Sequence, residues 1–347
     1  MAGVIKYSGI VTKVHAMNRR LLSAEDYEEL IQKTSVLEAL EFLKNTPAYA
    51  DAFSDAYAKN SHRDAIERRL MDSLYTDFIK LYRFSGIKER TFLNSYFLHY
   101  EVMIVKICLR NTMNLNSWDV SLGSFDKFFH RHSKLSIADL NHSDTLEEYM
   151  TALAGSPYEK LFAPIYNSGS RRLSDYETAL DLYYFSSVWK LKKKKLSAEE
   201  EQEVTAALGT NIDLLNLQWI YRCRRHFSMA DTDILPMLIP INYKLRPPQI
   251  QALIHAETDE EFARILSDTV YSKWFPAEDL SRFGAVSDQL LGHIYQLKCR
   301  ENPYSIASVN RYLYRKEEEI NHLIPIIEGI RYGLSPEQIR EFVPSAL

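Results

Sequence analysis

Apolar residues recur every three or four positions along almost the whole chain. Over residues 61–84, Ile66, Leu70, Leu74, Phe78 and Leu81 fall on one face, the stripe of an amphipathic helix whose other side meets water. The stripe stops at Ser85-Gly86, where a glycine stop is expected. It resumes over 88–112 with Leu93, Phe97, Tyr100, Ile104, Ile107 and Cys108. Ser23 followed by Ala24-Glu25-Asp26 is a cap with acids in the first turn, where unpaired N–H groups and the helix dipole favour them. Alternating strand patterns between Asn-Gly or Asp-Gly turns are absent. The pattern predicts an all-α protein. Two stretches interrupt it: 114–135, rich in turn residues, and 231–248, which holds Pro236, Pro240, Pro247 and Pro248. Proline removes a donor and disfavours helix before it, so both stretches are expected to connect domain-sized units. Pro325, inside the last long helical stretch, predicts a kink.

The spacing of the breaks points to an internal repeat. Leu22-Ser23, Leu135-Ser136 and Leu245-Arg246 open three similar segments. Each continues with a short helical signal, a break and a second short, acid-rich helix, and closes near a tyrosine: Tyr49, Tyr158 or Tyr271. The anchors recur at roughly 110 residues, far beyond the 20–50 of solenoid repeats. Later in each unit Ile66, Tyr176 and Val286 lead into longer helices. The expected division is therefore 1–120, 121–235 and 236–347, three similar helical domains in a pseudo-threefold arrangement.

Near the end of each unit an acid interrupts an apolar helix: Glu101, Asp213 and Glu318. Asn216 and Asn321 follow the second and third acids by one helical turn, on the same face, whereas Ile104 stands in the first unit. These five polar residues, Glu101, Asp213, Asn216, Glu318 and Asn321, are the candidates for a partner interface. Capping or salt-bridging a neighbouring helix within its own unit suits each acid as well, and the acid–Asn pairs equally suit hydrogen bonding to an adjacent loop. Three carboxylates converging on an axis would alternatively hold a cation, which makes a helical metal-dependent hydrolase the competing function. A free-standing helical adaptor is a third.

Composition narrows the function. Glycine numbers only 11 in 347 residues, and no G-x-G-x-x-G, G-x-x-x-x-G-K-[ST] or G-x-S-x-G occurs, so nucleotide loops and serine-hydrolase elbows are not expected. The net charge of −4 lacks the basic excess of nucleic-acid binders. Cys108, Cys223 and Cys299 are too few and scattered for a disulfide framework or zinc site, and read as reduced thiols. No apolar run is long enough to span a bilayer, and residues 1–16 lack the apolar core of a signal peptide. His130 and His132, two positions apart, lack the further ligands of a metal site and read as a surface loop. Lys190 with Lys192–Lys195, and Arg222 with Arg224-Arg225, are basic clusters suited either to a phosphate-bearing surface or to solvated helix ends. The 22 tyrosines and 16 phenylalanines stand mostly at core spacing.

Three segments carry a resemblance to a known family: AMNRRLLSAEDYEELIQKTSVLEALEFLKNTPAY from Ala16, IDLLNLQWIYRCR from Ile212, and YLYRKEEEINHLIPIIEGIRYGLSPEQIREFV from Tyr312. In their order and spacing the chain resembles the C subunit of the archaeal and bacterial V/A-type ATPases, equivalent to the d subunit of the vacuolar enzyme. Ile104, where the family more often has Asn, is a small departure. The resemblance implies a funnel of three similar helical domains. It implies a non-enzymatic part of the central rotor, linking stalk subunits of D and F type to the membrane proteolipid ring and passing torque for proton or sodium ion transport. The implied place is the cytoplasmic face of the membrane, peripheral, with no cofactor, nucleic acid or small-molecule substrate of its own. The short helical pairs would meet the ring and the long helices would form the wall.

Overall fold

The computed structural model describes residues 2–54, 62–113, 120–227, 229–275 and 283–341. Among them the protein is all-α, with seventeen α-helices and no strand. In chain order these are α1 (Ala2–Asn18), α2 (Ala24–Ile31), α3 (Val36–Lys44), α4 (Arg63–Phe84), α5 (Ile87–Thr112), α6 (Asp126–His132), α7 (Ile137–Asn141), α8 (Leu146–Ala152), α9 (Pro157–Asn167) and α10 (Leu173–Lys195). They continue as α11 (Ala198–Arg225), α12 (Asp231–Ile234), α13 (Pro247–His255), α14 (Asp259–Ser267), α15 (Phe283–Glu301), α16 (Ile306–Arg331) and α17 (Pro336–Arg340). Short and long helices alternate in a fixed order. The pairs α2–α3, α7–α8 and α13–α14 follow the three opening leucines, and each precedes two long helices: α4 and α5, α10 and α11, α15 and α16.

Local chemistry explains the boundaries. Ser23, Ser35, Ser136, Thr145, Ser197, Thr258 and Ser335 each accept the N–H three residues on, and Ser156 and Ser305 the one two residues on. Such caps satisfy donors that the helix cannot, for about 1 kcal/mol each. The expected cap at Ser23 is a full capping box, with Asp26 accepting from the Ser23 backbone. The stop after Phe84 works differently from expectation. Ser85 is extended and its hydroxyl bonds back to the Leu81 carbonyl, while Gly86 keeps a negative φ. Gly86 instead leaves room for the Glu89 carboxylate, which a Cβ there would meet. Pro325 lies within α16, which continues through it.

By its contacts the chain divides into two compact units. One comprises Met1–Arg90, Trp118–Lys134 and Cys299–Leu347; the other comprises Thr91–Ser117 and Leu135–Lys298. In the first, α16 packs against α1, α2, α3, α4 and α17. It buries Val309, Leu313, Ile320, Leu323 and Ile327, each fully buried Leu or Ile contributing about 1.5–3 kcal/mol. The predicted stripe of α4 is buried at Ile66, Leu70, Leu74, Phe78 and Leu81. Part of the first interrupted stretch is more than a connection. Beyond residues 114–119, which lie outside the described residues, Phe125 stacks on Tyr75 with ring centroids 4.4 Å apart, and Phe128 meets Tyr82 edge-on at 4.9 Å. Helix α6 is thus docked on α4 by aromatic contacts. In the second unit α11 packs on α10 and α13, and α9 on α8 and α10. Lys106 and Arg110 of α5 pair with Asp181 and Glu177 of α10, each at 2.6 Å.

Candidate functional site

The repeat's acids and closing tyrosines meet. Asp213 of α11 is 1% exposed and accepts four hydrogen bonds. Its Oδ2 receives Lys244 N–H at 2.8 Å, Leu245 N–H at 3.1 Å and the Tyr271 hydroxyl at 2.7 Å, while its Oδ1 receives Tyr243 N–H at 3.3 Å. Leu245 opens the third repeat segment and Tyr271 closes it. One carboxylate therefore ties both ends of the α13–α14 segment to a long helix. Burial pushes the Asp213 carboxyl upward, against the four hydrogen bonds that favour its charged form. Burial and the Asp213 charge push the Tyr271 hydroxyl up, so it stays a proton donor.

Two neighbours make this arrangement possible. Asn216, also 1% exposed, lies one turn further along α11. Its Nδ2 donates to the Ile239 carbonyl at 3.0 Å and its Oδ1 accepts Ile239 N–H at 2.9 Å, holding the proline-rich stretch before α13. Gly209 lies one turn earlier. A Cβ there would overlap the Tyr243 ring, so glycine lets the 243–245 backbone approach Asp213.

The first compact unit contains the same device. Glu319 of α16, 4% exposed, accepts Leu22 N–H on Oε2 at 2.7 Å and the Tyr49 hydroxyl on Oε1 at 2.7 Å. Leu22 and Tyr49 again bracket a short helical pair, α2–α3. A cation is added here. Lys316, 0% exposed, places Nζ 3.5 Å from Glu319 Oε1 and 3.7 Å from the centroid of the Tyr49 ring. Burial pushes the Lys316 ammonium's pKa down, and Glu319 opposes that shift. The third example lies in the second unit, where the half-buried Glu101 accepts the Tyr158 hydroxyl at 2.8 Å. Nearby, Tyr149 donates to the Val105 carbonyl at 2.7 Å.

Of the five candidates, Asp213 and Asn216 are brought together inside α11, and Glu101 makes the matching contact on α5. Glu318 is half-buried and Asn321 exposed, and it is Glu319, not Glu318, that holds Tyr49. The Asp-x-x-Asn pattern of α11 selects Glu318 and Asn321 on α16, but one residue turns a side chain by about 100° around the helix. The phase of the apolar stripe selects Glu319 instead, which stands four residues before Leu323 and three after Lys316 on the buried face. Three residues after Glu319 comes His322, whose buried Nδ1 has no hydrogen-bond partner among the described residues.

The remaining chemical candidates resolve into local contacts. His130 and His132 bond through Nδ1 to the carbonyls of Asp126 and Phe128. Among the described residues no group of three or more His, Cys, Asp or Glu is placed to hold a metal ion. Lys192 folds back over the Trp189 ring at 3.6 Å and bonds Thr205 Oγ1 at 2.6 Å. Arg224 pairs with Asp231 at 2.6 Å and Arg225 with Asp259 at 2.5 Å.

Residues 10–342 match the family described as ATP synthase (C/AC39) subunit. Among curated relatives, the chain is 24% identical to the C subunit of the A-type ATP synthase of Methanosarcina barkeri, over 98% of this chain and 93% of that protein. It is 24% identical to the protein of the same name from Thermococcus kodakarensis, over 97% and 90%. With that of a Desulfurococcus species the identity is 26%, over 96% and 90%.

Proposed function

Because the chain belongs to the ATP synthase (C/AC39) subunit family, we propose that it is a non-catalytic coupling subunit of a V/A-type rotary ATPase or ATP synthase. In this role it joins central-stalk subunits of D and F type to the membrane proteolipid ring at the cytoplasmic face, and passes torque between them for proton or sodium ion transport. The division into three helical domains at 1–120, 121–235 and 236–347 belongs to the proposal.

The observation that carries it is the recurring carboxylate–tyrosine lock. A torque-bearing part must resist sliding of its short helices along its long ones. Apolar packing is non-directional and resists such sliding weakly, whereas a buried carboxylate held by several directed donors fixes register. Glu319 joins a helix near the C-terminal end to Leu22 and Tyr49 near the N-terminal end, so the last part of the chain is tied to the first. The long helices supply length: α11, with 28 residues, spans about 42 Å at 1.5 Å per residue. No helix among the described residues is long and apolar enough to cross a membrane, which suits docking on a ring rather than insertion. Glu318 and Asn321, on the more open side of α16, are within reach of a partner, while Glu101, Asp213 and Asn216 hold the wall.

Reconstitution tests the proposal. The purified chain is expected to bind both isolated proteolipid rings and the stalk subunits, to restore coupling between ATP hydrolysis and ion transport in complexes lacking it, and to hydrolyse no ATP alone. Binding to neither ring nor stalk would overturn it.

A further inference from the structure

Beyond the coupling role, the first compact unit contains a cavity of distinct chemistry. Val14, His15, Asn18 and Arg19 at the end of α1, Ser308, Arg311 and Arg315 of α16, and Cys299 of α15 enclose about 220 Å³. Ser308, Arg311 and Arg315 recur at three and four residues, so one face of α16 turns its polar groups into this space. Three of the lining residues are arginines and none is acidic, in a chain whose net charge is −4.

The arginines have little to hold within the protein. Arg315 donates from Nη1 to Asn18 Oδ1 at a long 3.4 Å. Among the described residues the side chains of Arg19 and Arg311 make no ion pair or hydrogen bond. Ser308 already donates to the Pro303 carbonyl at 2.6 Å. The nearby Glu319 is held by Leu22, Tyr49 and Lys316. Burial first, and then the neighbouring Arg311 charge, push the Arg315 pKa down, and the opposing pull of Glu319 does not cancel them. Basic residues at the end of α1 suit that helix's dipole, but this accounts for His15 and Arg19 and not for two more arginines facing them from α16.

We infer that this cavity binds a phosphate group, with Arg311 and Arg315 as its inner donors and His15 and Arg19 at its rim. Guanidinium forks match phosphate oxygens two at a time. The volume is below the roughly 300–1,000 Å³ of sites for drug-sized ligands, so the ligand is a small phosphate or the phosphate end of a larger molecule.

Cys299 makes the site directly testable, because it lines the cavity and is partly exposed, whereas Cys108 and Cys223 are buried. Burial also pushes the Cys108 thiol up to about 12, leaving it little reactive thiolate. In the intact native chain, Cys299 alkylation is followed by mass spectrometry with inorganic phosphate, pyrophosphate, or vesicles with and without phosphatidic acid, all at matched ionic strength. Protection of about tenfold is expected when the phosphate probe is at ten times its Kd. Protection by the free anions assigns a soluble ligand, and protection only by phosphatidic acid vesicles assigns a lipid headgroup. Arg311→Gln with Arg315→Gln should abolish protection. Arg19→Gln, an exposed substitution outside the core, should weaken it and serves should the double variant not fold. Equal labelling rates with phosphate probes and with sodium chloride, or protection unchanged by these substitutions, would overturn the inference.

Discussion

Asp213 and Glu319 solve one problem in two ways. Each ties a short helical pair to a long helix through a leucine N–H and a tyrosine hydroxyl. Among the described residues Asp213 has no lysine ammonium paired with it; it instead collects two further backbone N–H groups, with Asn216 fixing the stretch that presents them. Glu319 has the one leucine N–H and adds the buried Lys316. A carboxylate in a low-dielectric interior can thus be stabilised by several dipoles or by one cation. The two are not equally tolerant of change. Removing one of four dipoles leaves three, whereas removing the cation leaves an uncompensated buried charge.

Substitutions sharpen that contrast, and unfolding midpoints of the full chain measure them. The largest effect is expected for Lys316→Met, at about 3–5 kcal/mol, because Glu319 is then buried without its cation. Adding Glu319→Gln should recover much of the loss, and no recovery would break the cation explanation. Asp213→Ala should cost about 3 kcal/mol, since four donors lose their acceptor but three are backbone groups able to reach water once the stretch relaxes. Gly209→Ala should cost about 1–3 kcal/mol by forcing the Tyr243 ring away. If it is neutral, close approach at Gly209 is not what brings the 243–245 amides to Asp213. Tyr271→Phe should be milder, at about 1.5 kcal/mol, one charge-assisted donor of four.

The smallest effect is a pH dependence. The Asp213 carboxyl is raised above its ordinary value in the fold, so between the two values the native state binds more protons than the unfolded chain. Its contribution to stability therefore falls as pH rises from the unfolded carboxylate range through the folded value. Asp213→Asn should flatten that slope, and an unchanged slope would assign the dependence to other groups.

The locks are only partly legible in the sequence. Asp213, Glu101 and the three tyrosines stand out because acids on apolar helices and recurring tyrosines at constant spacing are visible in one dimension. Their pairing is not, because Tyr158 and Tyr271 bond an acid of the unit before their own, and Tyr49 bonds an acid of the last unit. For Tyr49 that means an acid 270 residues away in the chain. Glu319 is hidden among three consecutive glutamates, Glu317 to Glu319, which only the buried face of α16 tells apart. The aromatic cluster at Phe125 and Phe128 is hidden for a related reason. Seven residues of α6 and the short turn before it that ends in Phe125 are too few to show a period, and the Phe125 and Phe128 rings gain meaning only against Tyr75 and Tyr82.

The sequence by itself determined the all-α class, the long amphipathic helices, the cap at Ser23 and the short helical pairs of the repeat, because these rest on spacings of three or four residues and on side chains bonding to their own neighbours. Tertiary structure alone decided which carboxylate meets which tyrosine, that Lys316 is buried rather than solvated, and that Arg19, Arg311 and Arg315 share one cavity with Cys299. Each of these joins residues far apart in the chain, and the low-dielectric interior that makes such contacts strong exists only after the helices have packed.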